Sequence, residues 1–414
     1  MHRNPILHRD FALVAIGQII SIFGNQMLRY ALPLYLLNQT GSSALFGTIL
    51  AVSFLPMLLL FPVGGIIADR VNKRNIMVIL DFGTAALLLL FCLLLGRMST
   101  AALMVVIMML LYGIQGVYQP AVKASVPALV DAEHIMKANS VVDMINSVAS
   151  MAGPVIGGLL FSALGLMPIL GLSIACFFAS AVMEIFIRIP FERREGAGNA
   201  LATGLEDLKG SFRFLFRERP VLWKISSIFA SSNLLLTSLV FIGLPVIITK
   251  QLGFGEETAA RLYGYAQGMA AAGAVLGGLL AGVLSKRLRA SSGPYLLIGC
   301  ALPVLVVGLA LQTLPPMGIY MVLSVGSGLL LTLHTVFQIQ MLTVLQLLTP
   351  RELIGKVISV FICLVMCTNP LGQFLYGFVF ERIGSAAYLA FYAAALSMIA
   401  VAALTRRVFK GIDH

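Results

Sequence analysis

The sequence predicts an all-α membrane protein with twelve transmembrane helices in two pseudo-symmetric six-helix bundles. Three observations support this fold class. The 414 residues are 59% hydrophobic and only 11% charged, with a mean hydropathy of +0.97, which is too apolar for a surface that faces water. Twelve apolar runs are long enough to cross a bilayer, and a glycine-rich charged motif occurs once in each half of the chain.

Each apolar run approaches or exceeds the roughly 20 residues that a spanning helix needs. Because lipid offers no hydrogen-bond partners to the backbone, runs of this length are expected to be helices. The first run is too long for a cleaved signal peptide and contains polar residues such as Asn25, so we interpret it as a spanning helix. The predicted spans are 11–37, 44–68, 76–96, 100–121, 140–163, 167–189, 223–249, 260–285, 294–312, 318–343, 356–380 and 384–405.

The formal net charge of +11 reflects topology. If the first span leaves the cytoplasm, all but five of the 28 Lys and Arg residues fall in the termini and the even-numbered connections. This asymmetry follows the positive-inside rule. It predicts a multi-pass protein of the cytoplasmic membrane, with both termini cytoplasmic and its basic residues near anionic lipid headgroups. It also argues against a nucleic-acid partner. The five exceptions are Arg29, Arg97, Lys250, Arg261 and Arg382.

An internal repeat divides the chain. GGIIADRVNKRN at 64–75 corresponds to GGLLAGVLSKRL at 277–288, an offset of 213 residues, and YQ at 118–119 corresponds to FQ at 337–338, an offset of 219. Parallel repeats with an even number of helices predict two bundles related by an axis along the membrane normal. The intervening segment alternates apolar and basic residues at helical spacing. The predicted domains are an N-terminal bundle at 1–189, a cytoplasmic basic amphipathic linker at 190–222 and a C-terminal bundle at 223–414.

Two motifs resemble those of the major facilitator superfamily, and the resemblance covers the whole chain. The loop after the second span matches the family's charged signature at Gly65, Ala68, Asp69, Arg70, Lys73 and Arg74. The fifth span carries a signature common in the family's exporters, at Gly153, Pro154, Gly157 and Gly158. The stretch 126–141 resembles a bacterial subgroup of macrolide-efflux, siderophore-export and lysophospholipid-transport proteins. Leu111 stands where many proton-linked exporters have Arg, so the resemblance does not imply proton coupling through that position.

The resemblance places an inner gate at the charged loop. Asp69 would accept hydrogen bonds from the start of a facing helix, since a helix N-terminus favours a carboxylate. Arg70 and Arg74 would pair with Asp143, and Gly65 belongs to the same signature. The alternative is a loop that is basic only because it faces the cytoplasm.

Polar residues at four-residue spacing predict a substrate pathway along helices 1, 4, 7 and 10, which line the pathway in the family. Residues four apart share one helical face, and polar side chains inside a span usually face a cavity. The alternative is packing between helices. The predicted pathway residues are Asn25, Arg29, Tyr112, Gln115, Gln119, Asn233, Thr237, His334 and Gln338.

Arg29 is the deepest charge in the sequence, and Asp81, Asp143 and Glu184 all fall nearer the cytoplasmic side. Because Arg stays protonated, we expect it to bind a substrate carboxylate, phosphate or acidic phenol. The alternative is that Arg29 snorkels to the interface. The lack of a mid-membrane acid argues against cationic substrates. Proton coupling stays open, with His334, Asp81 or Asp143 as carriers.

The predicted function is secondary active transport by alternating access, with export of a small amphipathic neutral or anionic compound such as a drug or siderophore. A proton antiporter is one form of such a transporter. Alternatives are inward transport of a lysophospholipid or metabolite and a non-transporting membrane sensor. An enzyme is not expected, because the five histidines form no catalytic constellation. We expect no cofactor and no metal, and a monomer. Cys363 and Cys367 share a helical face but are interpreted as packing residues.

Overall fold

The computed structural model of the chain describes residues 9–131, 134–189, 220–284, 290–349 and 354–409. By contacts, it divides into two compact units. The first unit is drawn from Met1–Thr40 and Val52–Ala200, and the second from Gly41–Ala51 and Leu201–His414. The linker predicted at 190–222 lies outside the described residues except for its last three positions.

Among the described residues, twelve helices are long and apolar enough to span a membrane, which confirms the predicted fold class. No strand occurs in the described ranges. Most helices extend beyond the predicted spans, because a helix continues through the polar headgroup layer on either side of the hydrocarbon. The helices are α1 (Arg9–Thr40), α2 (Ser43–Arg70), α3 (Lys73–Leu94), α4 (Thr100–Leu129), α5 (Ile135–Leu164), α6 (Leu166–Ile185), α7 (beginning at Pro220), α8 (Glu256–Leu284), α9 (Gly293–Thr313), α10 (Pro316–Leu348), α11 (Ile354–Ile383) and α12 (Tyr388–Phe409).

Helix α7 is not a uniform α-helix, which the sequence pattern did not predict. It consists of α-helical Pro220–Ser232, π-helical Asn233–Thr237, α-helical Ser238–Val246 and π-helical Ile247–Gln251. A π-turn widens the helix by one residue and recurs at functional positions. Hydropathy cannot reveal it, because the predicted span at 223–249 runs without a break through the first π segment and into the second.

In the first unit, α1 packs closely on α6 through small residues. The Ser173 hydroxyl donates to the Gly24 carbonyl at 3.2 Å, and further along α6 the Ser180 hydroxyl donates to the Gly17 carbonyl at 3.1 Å. A Cβ at Gly24 would lie 3.0 Å from the Cys176 Cβ. Glycine and serine therefore let the two backbones approach, as is typical between membrane helices.

The second unit has its own small-residue seam, between α8 and α10. The space that a Cβ at Gly273 would need is filled by the Gly328 carbonyl, and the Thr332 hydroxyl donates to the Gly273 carbonyl at 2.9 Å. This unit also holds the first turns of α2. There Glu381 of α11 accepts from the backbone N–H groups of Ser43 and Ala44 at 2.6 and 3.3 Å and so caps that helix.

Candidate substrate cavity

A cavity of about 230 Å³ opens in the first unit. One part of its wall is polar and another part is apolar, so the lining is amphipathic. The polar side chains are Asn25, Arg29, Tyr112, Gln115, Gln119 and Asn146. The apolar side chains are Leu28, Leu32, Met57, Met108 and Leu111.

Arg29 is the charged group of this lining. Its guanidinium carbon lies 5.2 Å from the centre of the Tyr112 ring, a cation–π distance, and its Nη2 atom donates a long hydrogen bond of 3.5 Å to the Tyr112 hydroxyl. Phe54 packs edge-on against Tyr112 with a centroid separation of 5.7 Å and holds the ring in place. Among the described residues, Arg29 has no carboxylate partner. Its charge is therefore available to a ligand.

The amide side chains of the lining are oriented by bonds along their own helices. Gln119 donates to the Gln115 side-chain oxygen at 3.3 Å, and Asn146 donates to the Val142 carbonyl at 3.0 Å. An amide both donates and accepts hydrogen bonds, so these groups suit a polar, uncharged part of a ligand. Asn146 was not predicted to line the pathway, because it lies on the fifth helix and the pathway was expected along helices 1, 4, 7 and 10.

Five of the nine predicted pathway residues therefore line one cavity, and the other four lie in the second unit. Asn233 and Thr237 begin and end the first π segment of α7, and Gln338 is half-buried. His334 is only 2% exposed. Its Nε2 atom lies 3.1 Å from the Ser232 hydroxyl, and its Nδ1 atom lies 3.5 Å from the Thr237 hydroxyl. His334 thus joins α10 to α7.

The predicted gate residues lie around the α2–α3 connection. Asp69 and Arg70 end α2, but their side chains are outside what the structure describes. Arg74 lies in the first turn of α3, where its backbone N–H donates to the capping Asn72 side chain at 3.0 Å. Asp143 is exposed on α5, and open space surrounds the Cβ position of Gly65. The gate stays a prediction.

The helix-5 signature residues lie where α5 packs on α1. A Cβ at Gly153 would lie 2.5 Å from the Gln26 Cβ, and a Cβ at Gly157 would lie 3.4 Å from the Tyr30 ring. Pro154 and Gly158 are buried beside them. These glycines let α5 approach the segment of α1 that carries Asn25 and Arg29, so they shape the cavity through packing.

Comparison with known proteins places this architecture in a family. The family model of the Major Facilitator Superfamily matches residues 14–375. The solved structure of a bacterial homologue of the iron transporter ferroportin, in an inward-facing state, superposes with a TM-score of 0.73 at 16% identity and covers 97% of this chain and 99% of that one. The nucleoside transporter NupG gives a TM-score of 0.73 at 12% identity and covers 97% and 100%. At these identities the structures show the fold.

Curated relatives are similar at low identity. "Uncharacterized MFS-type transporter YfiS" of Bacillus subtilis (strain 168) is 26% identical over 222 residues, 52% of this chain and 51% of the relative. Macrolide efflux protein A of Streptococcus pyogenes is 24% identical over 181 residues, 44% and 45%. The chain thus spans about half the length of these two relatives. Enterobactin exporter EntS of Shigella boydii serotype 4 (strain Sb227) is 26% identical over 357 residues, 84% and 80%.

Twelve spanning helices, the extent of the family match and the shared fold point to one class of protein. It is a class of multi-pass membrane transporters of small molecules, and not of enzymes. The chain belongs to the Major Facilitator Superfamily.

Proposed function

We propose that this chain is a secondary active exporter of a small amphipathic compound, neutral or anionic, such as a drug or siderophore. It works by alternating access in the cytoplasmic membrane, as a monomer with both termini on the cytoplasmic side. The distribution of Lys and Arg supports this orientation and the contact with anionic headgroups. The residues proposed for the inner gate are Gly65, Asp69, Arg70, Arg74 and Asp143.

The observation that carries the substrate class is Arg29 in the wall of the cavity. A guanidinium inside a span is costly, by at least about 2.5–3.5 kcal/mol on insertion scales, unless it meets water, carbonyl groups or an anion. Its contacts with Tyr112 leave its charge uncompensated. A carboxylate, phosphate or acidic phenol of the substrate would compensate it, and a guanidinium binds such groups in two-pronged fashion.

The rest of the lining suits the other parts of such a substrate. Gln115, Gln119 and Asn146 offer amide donors and acceptors, whereas Met57 and Met108 offer flexible apolar contacts that fit varied shapes. A volume of about 230 Å³ is below the roughly 300–1,000 Å³ that encloses a drug-sized ligand. The cavity therefore suits a small compound or one part of a larger one.

The direction of transport rests on similarity. Two relatives are named as an exporter and an efflux protein, and the helix-5 signature is common in exporters. The packing of Gly153 and Gly157 against α1 gives that signature a physical role beside the cavity.

The test is a growth and efflux assay in an efflux-deficient bacterial host, with toxic anionic, neutral and cationic compounds. Native protein is compared with Arg29→Ala, Arg29→Lys and the control Arg97→Ala at matched expression. Arg97 is an exposed cation after α3 and is not in the described lining of the cavity. We expect resistance to anionic and neutral compounds, with resistance to the anionic ones lost in Arg29→Ala and retained in Arg97→Ala.

The other outcomes separate the alternatives. Resistance confined to cations and indifferent to Arg29 would overturn the anion site. Lack of any resistance, together with uptake of lysophospholipid or metabolite into cells, would reverse the proposed direction. Binding without net flux in either direction would mark the protein as a sensor.

A further inference from the structure

A second group of polar residues lies in the first unit, outside the cavity lining. It joins four helices: Gln18 and Ser21 come from α1, Asp81 from α3, Tyr118 from α4 and Glu184 from α6. All five residues are buried, and the two carboxyl groups are 2% and 0% exposed. We call this group the acid cluster.

Hydrogen bonds run through the acid cluster in a defined direction. The Gln18 amide donates to the Tyr118 hydroxyl at 2.6 Å, and that hydroxyl donates to Glu184 Oε1 at 2.9 Å. The Ser21 hydroxyl donates to Asp81 Oδ1 at 3.2 Å. Each carboxyl group thus receives a donor at one oxygen, while α1, α4 and α6 are tied through Tyr118.

The acid cluster is short of hydrogen-bond donors. Three buried oxygens have no partner: Gln18 Oε1, Asp81 Oδ2 and Glu184 Oε2. Buried acceptors are normally satisfied, so three unpaired oxygens on residues of this cluster call for a donor from a bound proton, a water molecule or an ion. Whatever binds must supply a donor or a positive charge.

The charges of the acid cluster lead to the same requirement. The side chains that face the carboxyl groups from the packed helices are Gln18 and Ser21 of α1, Tyr118 of α4 and Ser180 of α6, besides the two acids themselves. Within the described ranges, none of them is a cation. Two ionised carboxylates buried in one cluster repel each other, and burial among apolar helices disfavours both charges.

We propose that Asp81 and Glu184 together bind one exchangeable proton, and that the acid cluster is a proton site distinct from the substrate cavity. A proton taken from water removes one of the two charges. It also turns one unpaired carboxyl oxygen into a hydroxyl donor, which can then bond to another of the unpaired oxygens. A proton fits better than a transition-metal ion, because the described part of the chain has no group of three or more His, Cys, Asp and Glu side chains that could hold one.

The position of the acid cluster connects it to the cavity. Helix α1 carries Gln18 and then, further along, Asn25 and Arg29 of the lining. Helix α4 carries Tyr118 directly beside Gln119 of the lining. A change in the protonation of Glu184 alters the bond that it accepts from Tyr118, and so the Gln18–Tyr118 bond between α1 and α4, which are two of the helices that line the cavity. Proton binding and ligand binding are then reciprocally linked.

Proton binding at the pair does not depend on the proposed export function, whereas its effect on the cavity does. The experiment therefore measures protons first, on purified full-length protein in lipid nanodiscs without substrate. Infrared difference spectra over a pH titration in H₂O and D₂O report the C=O stretch of protonated carboxyl groups. The variants are Glu184→Gln, Asp81→Asn and Tyr118→Phe, with Asp131→Asn as the control because Asp131 is an exposed carboxylate in a loop.

We expect native protein and Asp131→Asn to show a buried carboxyl band at neutral pH, and Glu184→Gln and Asp81→Asn to lose or displace it. Tyr118→Phe keeps both acids and changes one hydroxyl, so it serves even if an acid variant does not fold. In Tyr118→Phe the carboxyl band should persist to a pH about one unit higher than in native protein, because the carboxylate loses a hydrogen-bond donor that favours its ionised form.

A band unchanged in Tyr118→Phe and in both acid variants would overturn the proposal. Saturable binding of Na⁺ or Ca²⁺ that disappears in Glu184→Gln would also overturn it, in favour of a metal site. Loss of anion efflux in Arg29→Ala with an unchanged carboxyl band would support the proposal that the proton site is distinct from the substrate cavity. A proton band without any export would leave the proton site standing and reject the proposed function.

Discussion

The two units share a duplicated helical plan but differ inside. In the first, helix α4 carries Gln115 and Gln119, and both line a polar cavity of about 230 Å³. In the second, the repeat places His334 and Gln338 at the same positions, yet His334 is buried against Ser232. A cavity of the second unit measures only about 10 Å³, room for at most a single water molecule. The repeat thus places polar residues at equivalent positions in both units, but the polar cavity described here is lined by those of the first.

The acid cluster differs in the same way. In the first helix of each half the repeat has an offset of 212 residues, since ALPL at 31–34 corresponds to GLPV at 243–246. Gln18 therefore corresponds to Ala230, and at the offset of 219 Tyr118 corresponds to Phe337 and Glu184 to Ala403. Phe337 keeps the ring of its counterpart without the hydroxyl and is fully buried in the core. The second unit therefore has Ala403 in place of Glu184 and a polar residue, Asn233, in place of Ser21, so symmetry does not account for Glu184.

The largest expected difference between the units is in substrate affinity. Arg29 corresponds to Phe241, which is apolar and 44% exposed. We expect Arg29→Ala to weaken binding of an anionic substrate by about 1.5–3 kcal/mol, since it removes a charged hydrogen-bond donor. Phe241→Ala should leave that affinity nearly unchanged. Equilibrium binding to purified protein measures both, and equal losses in the two variants would contradict the assignment of the anion site to the first unit.

A second prediction concerns packing that both units retain. Gly153 and its repeat counterpart Gly372 each sit where another helix fills the Cβ position: the side chain of Gln26 for Gly153, and Ser238 with the Leu234 carbonyl for Gly372. We expect either glycine-to-alanine change to destabilise the protein by about 1–3 kcal/mol through overpacking. Thermal unfolding in detergent tests this, with Gly278→Ala, which has open space, as the control. If Gly372→Ala unfolds at the same temperature as native protein, then the helix contact at Gly372 can relax to accept a methyl group.

A third prediction separates His334 from its counterpart Gln115. His334→Leu removes the bonds to Ser232 and Thr237, so it should lower stability by about 1–2 kcal/mol and leave substrate affinity unchanged. Gln115→Leu should weaken substrate binding and leave stability unchanged. Unfolding midpoints and binding isotherms of the two variants decide the matter. If His334→Leu stops transport without loss of stability, then His334 belongs to the pathway, as its spacing in the sequence suggested.

The smallest predicted effect is at the start of α2. Glu381 accepts from Ser43 and Ala44 there, whereas its repeat counterpart Ser162 bonds only within its own helix, to Leu159. Glu381→Gln keeps an acceptor but loses the charge that favours a helix N-terminus, so we expect a loss of about 0.3–1 kcal/mol. Thermal unfolding should show this loss at low salt and a smaller one at high salt. Equal losses at both salt concentrations would argue against an electrostatic cap.

The helices could be predicted from the sequence because lipid leaves the backbone few other options. The lining was found in part, since four-residue spacing placed Asn25 with Arg29 and Gln115 with Gln119. The spacing alone does not show how deeply each polar side chain is buried between neighbouring helices. Gln338 and His334 follow the same spacing rule, yet His334 lies buried between two helices.

The acid cluster could be predicted only in outline. Asp81 and Glu184 stood out as acids in apolar spans, and Asp81 was considered as a proton carrier. Their common partner, Tyr118, lies on a third helix, and no local pattern joins it to either acid. Only the fold brings Gln18, Tyr118 and Glu184 within hydrogen-bonding distance.

The glycine contacts between α1 and α5 also bear on how such a protein evolves. Gly153 and Gly157 set the distance between these helices through Gln26, Met27 and Tyr30, none of which is in the described lining of the cavity, whereas Asn25 and Arg29 are. Substitutions in the lining therefore leave the close-packed seam untouched. A lineage under selection for a new compound can change its specificity here, one side chain at a time, with little penalty to folding.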